Sequence, residues 1–372
     1  MNRIIIAILL ISYCNANDYY EGDSLIRKGV YAFYNYEFDK AVEILTDCRI
    51  QYPEHPGVHL IWAASRWVEA QAFLSVNETY EILENDLGII QTAYDTLVVK
   101  YYYDSNYKLY QGSALGLSAR VALGKKQWLK TLFHSYKGFQ IIRDITKESP
   151  SIIDAQLPIG IVEYFAGISN PIVNWAIKLY DLEPSTESGL RRIALAADEG
   201  SWAWIEAKAI LSNLYLWVEN EPILALQYSS DLVREFPKNF YFNLMYLEAN
   251  IRTSKINLSA TIIEDMENDI SYLSSRQKEW YVPYLNYEKA LFSFFNKEYT
   301  KALILVTEAI EDYSAELDII LGNAYLLQGM CYDKLYERGN AKGSYVNCIA
   351  LDNFSGSMIK AKEYLKKPFS GI

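Results

Sequence analysis

The stretch FDKAVEILTDCRIQYP, residues 38–53, decides the fold of this chain. It carries Ala41 in its fourth place, and Leu45 and Cys48 follow four and seven residues later, which is the spacing of one stripe along a helix. Pro53 ends the pattern, because proline is not tolerated in a helix interior. The stretch therefore predicts an amphipathic helix that buries two small side chains.

The same pattern recurs in windows that begin at Thr186, Pro222, Tyr299 and Arg338. Each window has a small residue in its fourth place, namely Gly189, Ala225, Ala302 and Ala341. A weaker match puts Ala260 in that place. Recurrence of one helix at a spacing of about 35 to 42 residues indicates a repeat architecture.

A partner helix precedes two of these windows. Gly29 stands twelve residues before Ala41, and Gly329 stands twelve before Ala341. Small residues at both places would let two antiparallel helices approach closely. Cys348 occupies the place that Cys48 has in the first window, where a reduced cysteine is a compact apolar filler.

With Pro53 and Pro237 after second helices, the pattern resembles the tetratricopeptide repeat, a helix-turn-helix unit of about 34 residues. The stretch from SARVALGKKQWLK through SIIDAQLPIGIVEYFAGI to GLRRIALAADEG is similar to a group of exported bacterial tetratricopeptide proteins, which brings no known activity with it. The resemblance implies an all-α, right-handed α-solenoid. Short turns between helical patterns, without alternating apolar and polar runs, agree with an all-α chain.

The chain divides by pattern into four parts. Residues 1–16 form a signal peptide, and residues 17–150 a helical region with one clear and one or two degenerate units. That region contains two long helical patterns, YEILENDLGIIQTAYDTLVVKYYY and ARVALGKKQWLKTLFHSYKGFQIIRDI. Residues 151–356 form the repeat array, and residues 357–372 a capping helix and tail.

The N-terminal sequence predicts export. An apolar run from Ile4 to Tyr13 follows one basic residue and is about half the ~20 residues that a membrane-spanning helix needs. Cleavage after Ala16 is the preferred interpretation. The alternative is a lipid anchor on Cys14, although Tyr13 is bulky for lipoprotein processing. We expect a periplasmic or outer-envelope location.

Charge and cysteine content narrow the classes of partner. The net charge of -11 is spread along the chain, which argues against a nucleic-acid backbone as partner. Three cysteines remain after cleavage, Cys48, Cys331 and Cys348, too few for a disulfide framework. A disulfide between Cys331 and Cys348 stays open as the less favoured alternative.

Motifs for catalysis are missing from the sequence. His55 and His59 are four residues apart, but Pro56 biases His55 away from helical geometry, so a metal site is not favoured. The GK pair at Gly124 lacks the other residues of a phosphate loop. We therefore expect no enzyme activity, no cofactor and no metal. The apolar stretch 159–180 is interrupted by polar residues and is expected to pack inside the protein rather than lie on a membrane.

Aromatic residues supply the candidate binding surface. The chain has 32 tyrosines and 8 tryptophans, and a large apolar ring with a polar edge suits binding grooves as well as cores. Two clusters form the predicted partner-binding set, which comprises Tyr101, Tyr102, Tyr103, Tyr107, Tyr110, Trp202 and Trp204.

The preferred function is a non-enzymatic scaffold or adaptor of the cell envelope that binds a protein partner on the concave face of the solenoid. Ile26, Val30 and Phe33 in the first unit, and Leu326 and Met330 in the last, give that face an apolar character. The alternative is an exported binder of a glycan or small solute that stacks on exposed tyrosine and tryptophan.

Overall fold

The computed structural model describes residues 19–125, 127–168, 185–315, 318–353 and 355–371. The predicted signal peptide, Cys14 and the second half of the apolar stretch 159–180 lie outside these ranges. Within them the regular structure is helical, with no strand. The α-helices are α1 Asp23–Tyr34, α2 Phe38–Gln51, α3 Val58–Phe73, α4 Val76–Lys100, α5 Ser105–Gly124, α6 Trp128–Glu148, α7 Gln156–Ile168, α8 Thr186–Glu199, α9 Trp204–Trp217, α10 Pro222–Glu235, α11 Phe240–Arg252, α12 Ile256–Asp269, α13 Ser275–Phe295, α14 Tyr299–Glu311, α15 Ile319–Lys334, α16 Arg338–Ala350 and α17 Gly356–Lys366.

The described helices pack as eight pairs in chain order, from α1 with α2 to α15 with α16, and each pair packs on the next. This is the arrangement of a tetratricopeptide-like solenoid, in which each unit covers the apolar face of its neighbour. The all-α solenoid predicted from the sequence is confirmed. No described helix is long and apolar enough to cross a membrane.

Five of the pairs share one turn between their two helices. The second residue before the second helix has a left-handed backbone, with φ between 60° and 64°. In four of these turns the next N–H donates to the carbonyl five residues back at 2.8–2.9 Å, which is the Schellman ending of a helix. The left-handed residues are Tyr36, Asn220, Ser254, Lys297 and Tyr336.

Small residues lie where paired helices are closest. Ala41, Ala225, Ala302 and Ala341 are fully buried. A Cβ atom on Gly329 would lie only 2.4 Å from the Tyr345 ring, and the same atom on Gly29 would lie 2.6 Å from Leu45. The predicted close approach of paired helices at these residues is therefore present.

For α12 the sequence predicted the small buried residue one position too late. Ser259, not Ala260, is the fourth residue of α12, and it is fully buried whereas Ala260 is exposed. The Ser259 hydroxyl donates to the Lys255 carbonyl at 3.0 Å, which satisfies its polar atom inside the core.

Two further close approaches have glycine on both helices. A Cβ atom on Gly189 in α8 would lie 2.7 Å from the Gly160 carbonyl oxygen in α7. A Cβ atom on Gly138 in α6 would lie 2.8 Å from the Gly112 carbonyl oxygen in α5. The region between Pro53 and Pro150 thus contains one closely packed pair, α5 with α6, although its sequence does not repeat alanine at the spacing seen in the other units.

Of the two long helical patterns of that region, only one forms a single helix. The first is one helix, α4, which has 25 residues and begins with a capping box between Ser75 and Glu78. The second is two helices, because the chain turns between Gly124 and Trp128 and separates α5 from α6.

The solenoid curls so that its first pair contacts its middle. The Tyr36 hydroxyl lies 3.0 Å from that of Tyr281, and the Asn239 side-chain amide donates to the Tyr34 carbonyl at 2.9 Å. Lys238 pairs with Glu37 at 2.8 Å. These contacts join residues more than half the chain apart in sequence, so α1 and the turn after it lie against the fifth to seventh pairs.

The last helix, α17, packs on α15 and α16 and also reaches across to α9. Its first residue, Gly356, lies so close to α9 that a Cβ atom there would be 3.2 Å from the Trp217 carbonyl oxygen. Lys360 donates to the Asn220 side-chain oxygen at 2.6 Å. The last helix therefore lies along the inner side of the C-terminal pairs as well as against their end.

The three described cysteines are free and buried. Cys331 belongs to the large C-terminal core cluster, whereas Cys348 packs with Ala341, Tyr345 and Ala361. Burial raises the pKa of the Cys331 thiol to about 12 and that of Cys348 to about 11. The disulfide left open by the sequence is thus not formed, and both thiols serve as apolar filler.

Candidate binding surfaces and cavities

The exposed part of the predicted aromatic surface lies in the turn between α4 and α5. Tyr102 and Tyr103 are 74% and 73% exposed, and Val99 on the last turn of α4 is 74% exposed. The two tyrosine rings meet edge to face with centroids 5.7 Å apart. We call Val99, Tyr102 and Tyr103 the tyrosine patch.

The structure places Tyr107 and Tyr110 inside the protein. Tyr107 is 4% exposed, its hydroxyl donates to the Glu54 carbonyl at 2.7 Å, and its ring stacks on Tyr101 at 4.6 Å. The half-buried Tyr110 ring covers Gly57. Of the five tyrosines predicted to bind a partner, only Tyr102 and Tyr103 therefore offer exposed rings.

Trp202 and Trp204 belong to other surroundings. The guanidinium of Arg27 stacks over Trp202 at 4.1 Å, which joins α1 to the segment before α9. Trp204 stacks on Phe236 with ring centroids 5.9 Å apart. The two tryptophans and the tyrosine patch thus do not form one concave aromatic surface, and the binding roles of all seven residues stay predictions.

The two histidines of the PEHPGVH segment are structural. The Nδ1 atom of His55 accepts from the Gly57 N–H at 3.1 Å, so its proton lies on Nε2, which donates to Asp23 at 2.6 Å. Burial acts to raise the pKa of Asp23, but the hydrogen bond from His55 and those from backbone N–H groups outweigh it and lower the pKa. His59 lies against the Pro53 carbonyl at 2.8 Å. Among the described residues no cluster of ligating side chains could hold a metal ion.

A second exposed apolar surface escaped the sequence analysis. Leu129, Phe133 and Tyr136 lie on one face of α6 and are 85%, 62% and 40% exposed. Their spacing of four and three residues is that of one helical stripe, which could have been found in KKQWLKTLFHSYKG. An apolar stripe at this spacing usually marks the buried face of a helix, so the sequence does not show that this one is exposed.

The curl of the solenoid encloses a cavity of about 240 Å³ between the first two pairs and the fifth to seventh pairs, which we call the aromatic cavity. Six helices and the turn after α1 contribute to its wall. Eight of its lining residues are aromatic, namely Phe33, Tyr34, Tyr36, Phe38, Tyr241, Phe242, Trp280 and Tyr281. The polar lining residues are Gln71, Glu206, Asn213, Asn239 and Gln277.

Glu206 is the carboxylate of the aromatic cavity. Its side chain is exposed to solvent although protein surrounds it on the inner side of the solenoid, and the Tyr34 hydroxyl donates to it. Loss of bulk water around Glu206 raises the pKa of its carboxyl group, and the hydrogen bond from Tyr34 acts in the opposite direction. The nearby Tyr241 hydroxyl donates to Asn213 at 3.0 Å.

A second cavity of about 350 Å³, the C-terminal cavity, lies between the first helices of the last four pairs and α17. Leu326 and Met330 line it, in agreement with the apolar groove face expected for α15. Its cations have partners within the protein, because Arg252 pairs with Glu248 at 3.2 Å and Lys360 donates to Asn220. The charged groups here hold α17 against the inner face.

Beside this cavity two carboxyl groups are buried together. Glu248 is 1% exposed and accepts from the Trp217 indole N–H at 2.8 Å, whereas Glu288 is fully buried and receives no hydrogen bond at either oxygen. Burial, and then the adjacent charge of Glu248 and a hydrogen bond to it, raise the pKa of Glu288 well above 4.5. Burial therefore favours the neutral form of the Glu288 carboxyl group over its charged form.

Comparisons with known proteins give likeness in fold only. No family model matches the chain, and no curated protein matches it in sequence. A tetratricopeptide repeat protein from Parabacteroides merdae is 11% identical with a TM-score of 0.32, and the alignment covers 92% of this chain and 96% of that one. The human IFIT1 dimer with m7Gppp-AAAA is 12% identical with a TM-score of 0.41, and the alignment covers 91% and 80%.

Proposed function

We propose that the protein is an exported, non-catalytic scaffold that binds a protein partner through the tyrosine patch. The observation that carries this proposal is the patch itself, three large apolar side chains within five residues of sequence, each exposed by nearly three quarters. Tyrosine anchors are enriched among the residues that dominate binding energy at protein interfaces. Solenoids of this kind commonly serve protein interaction through their extended surfaces.

The tyrosine patch is favoured over the concave face because the chain covers much of its own concave face. Val30 on α1 packs on the C-terminal core cluster, and α17 lies along the first helices of the last four pairs. A partner segment on that face would have to displace α1 or α17. The tyrosine patch needs no such rearrangement.

Export rests on the N-terminal sequence. A short apolar run followed by small residues at Cys14 and Ala16 supports a cleaved signal peptide and an envelope location. Under this proposal the mature protein begins near Asn17 and meets its partner in the envelope.

The double variant Tyr102→Ser/Tyr103→Ser is expected to lose the partner while it keeps the fold. Truncation of a good aromatic anchor costs more than about 2 kcal/mol of binding, whereas surface changes shift stability by less than about 0.5 kcal/mol. The measurement is affinity capture from the envelope of the native host, with circular dichroism and melting temperature as the check on folding. Intact mass of the same bait, made with its own N-terminus, is expected to show a chain that begins near Asn17.

Two matched variants make this test specific. Tyr272→Ser removes a lone tyrosine that is 86% exposed, and it is expected to capture the same proteins as the unmodified chain. Phe133→Ser tests the exposed stripe on α6. Loss of the partner with Phe133→Ser, together with normal capture by the double tyrosine variant, would overturn the choice of surface.

A further inference from the structure

The aromatic cavity has an unbalanced set of charges. Among the described residues that line it, Glu206 is the one carboxylate and there is no lysine, arginine or histidine. The Glu206 side chain is exposed to solvent, so its carboxylate is open to a ligand that enters the cavity. Here the described neighbours of Glu206 provide only the Tyr34 hydroxyl.

The rings around Glu206 come from three separate parts of the chain. Tyr34 stacks on Phe242 with ring centroids 5.9 Å apart, and Tyr36 stacks on Tyr281 at 6.5 Å with planes 10° apart. The hydroxyl groups of Tyr36 and Tyr281 bond to each other. The rings are therefore held in place before any ligand arrives, which reduces the entropy cost of binding.

The faces of aromatic rings and an unpaired carboxylate both attract cations. The face of an aromatic ring is the negative part of its quadrupole and attracts cations, most strongly when the cation is weakly hydrated. The net charge of -11 adds a long-range attraction for positive ligands. We propose that the aromatic cavity binds a small organic ammonium ion, with Glu206 as its counter-ion.

The size of the cavity fits this class of ligand. A volume of 240 Å³ corresponds to about eight water molecules in the liquid, which is enough for a quaternary ammonium ion with a short side chain. An anion would meet Glu206 without a compensating cation. This inference stands apart from the proposed protein partner, because the tyrosine patch lies at the turn between α4 and α5 and supplies no wall of the cavity.

Isothermal titration calorimetry with choline chloride tests the inference on the unmodified protein. We expect choline to bind at least tenfold more tightly than 3,3-dimethylbutan-1-ol, a neutral molecule of the same shape, at matched ionic strength set with sodium chloride. Equal affinity for the two molecules would show that the positive charge of choline does not contribute to binding. A heat of binding on titration with glucose, and none with choline, would show that the cavity binds a neutral polyol instead.

Two variants locate the site. Glu206→Gln keeps an oxygen that accepts from Tyr34 but removes the charge, and it is expected to weaken choline binding at least tenfold. Glu264→Gln, an exposed change on α12, is expected to have no effect. Unchanged binding by Glu206→Gln, with a normal circular dichroism spectrum, would overturn the proposal.

Discussion

Replacing Glu248 with glutamine is expected to lower the free energy of unfolding by about 3 kcal/mol or more at neutral pH. Glu248 accepts from Trp217 and faces Arg252 in a site that is almost closed to solvent. Removal of one partner of a buried ion pair leaves the other charge uncompensated, which costs about 3–5 kcal/mol. Urea denaturation followed by tryptophan fluorescence measures the loss.

The matched control is Glu288→Gln, at the carboxyl group buried beside Glu248. Because burial favours the neutral form of Glu288, Glu288→Gln exchanges one uncharged side chain for another, and the free energy of unfolding is expected to change by less than about 1 kcal/mol at pH 7. Equal losses in the two variants would show that the proton does not belong to Glu288.

The pH dependence of this pair has a defined sign. The pKa of Glu288 is raised in the folded state above its ordinary value of 4.5. The stability that its proton contributes is therefore complete below pH of about 4.5 and decreases as the pH rises toward the folded-state pKa. Glu288→Gln has no such titration, so its stability relative to the unmodified protein is expected to increase from pH 5 to pH 8.

Gly189→Ala is expected to destabilise the protein by about 3 kcal/mol, at the upper end of what overpacking usually costs. The added Cβ would lie 2.6 Å from the Tyr164 backbone nitrogen and 2.7 Å from the Gly160 carbonyl oxygen. Both neighbours are backbone atoms of α7, so α7 and α8 would have to separate. Chemical denaturation of the variant gives the loss directly.

Gly88→Ala supplies the control for this change. Gly88 lies in the interior of α4, and a Cβ atom there would meet no other atom within 4 Å. Alanine is the better helix former, so this variant is expected to gain about 0.5–1 kcal/mol. A loss below about 1 kcal/mol for Gly189→Ala would mean that the two helices are farther apart than described.

The sequence predicted the repeat units well where small residues recur at a regular spacing along the chain. Ala41, Ala302 and Ala341 were found because the second helices of these units carry a small residue in the same place. The pairs Gly112 with Gly138 and Gly160 with Gly189 were not recognised, because the lengths between partner helices vary there. The left-handed turn residues include Tyr36 and Lys297, whose types give no hint of that backbone conformation.

The candidate sites were predicted less completely. Tyr102 and Tyr103 were identified, but the sequence grouped them with Tyr107, which the turn after α4 directs into the core. The aromatic cavity could not be predicted at all. Its rings are distributed from Phe33 to Tyr281, and only the curl of the whole solenoid brings them together.

Zero-length cross-linking tests the curl of the solenoid most directly, and both the covered concave face and the aromatic cavity depend on that curl. A carbodiimide joins a carboxylate to an amine only when they are in contact, and Glu37 and Lys238 lie 2.8 Å apart while remaining accessible. Mass spectrometry of the monomer is expected to find a peptide that links Glu37 to Lys238, and Lys238→Ala should abolish it. If Glu37 links only to its helical neighbour Lys40, at 2.7 Å, the first pair does not contact the middle of the chain and the account is wrong.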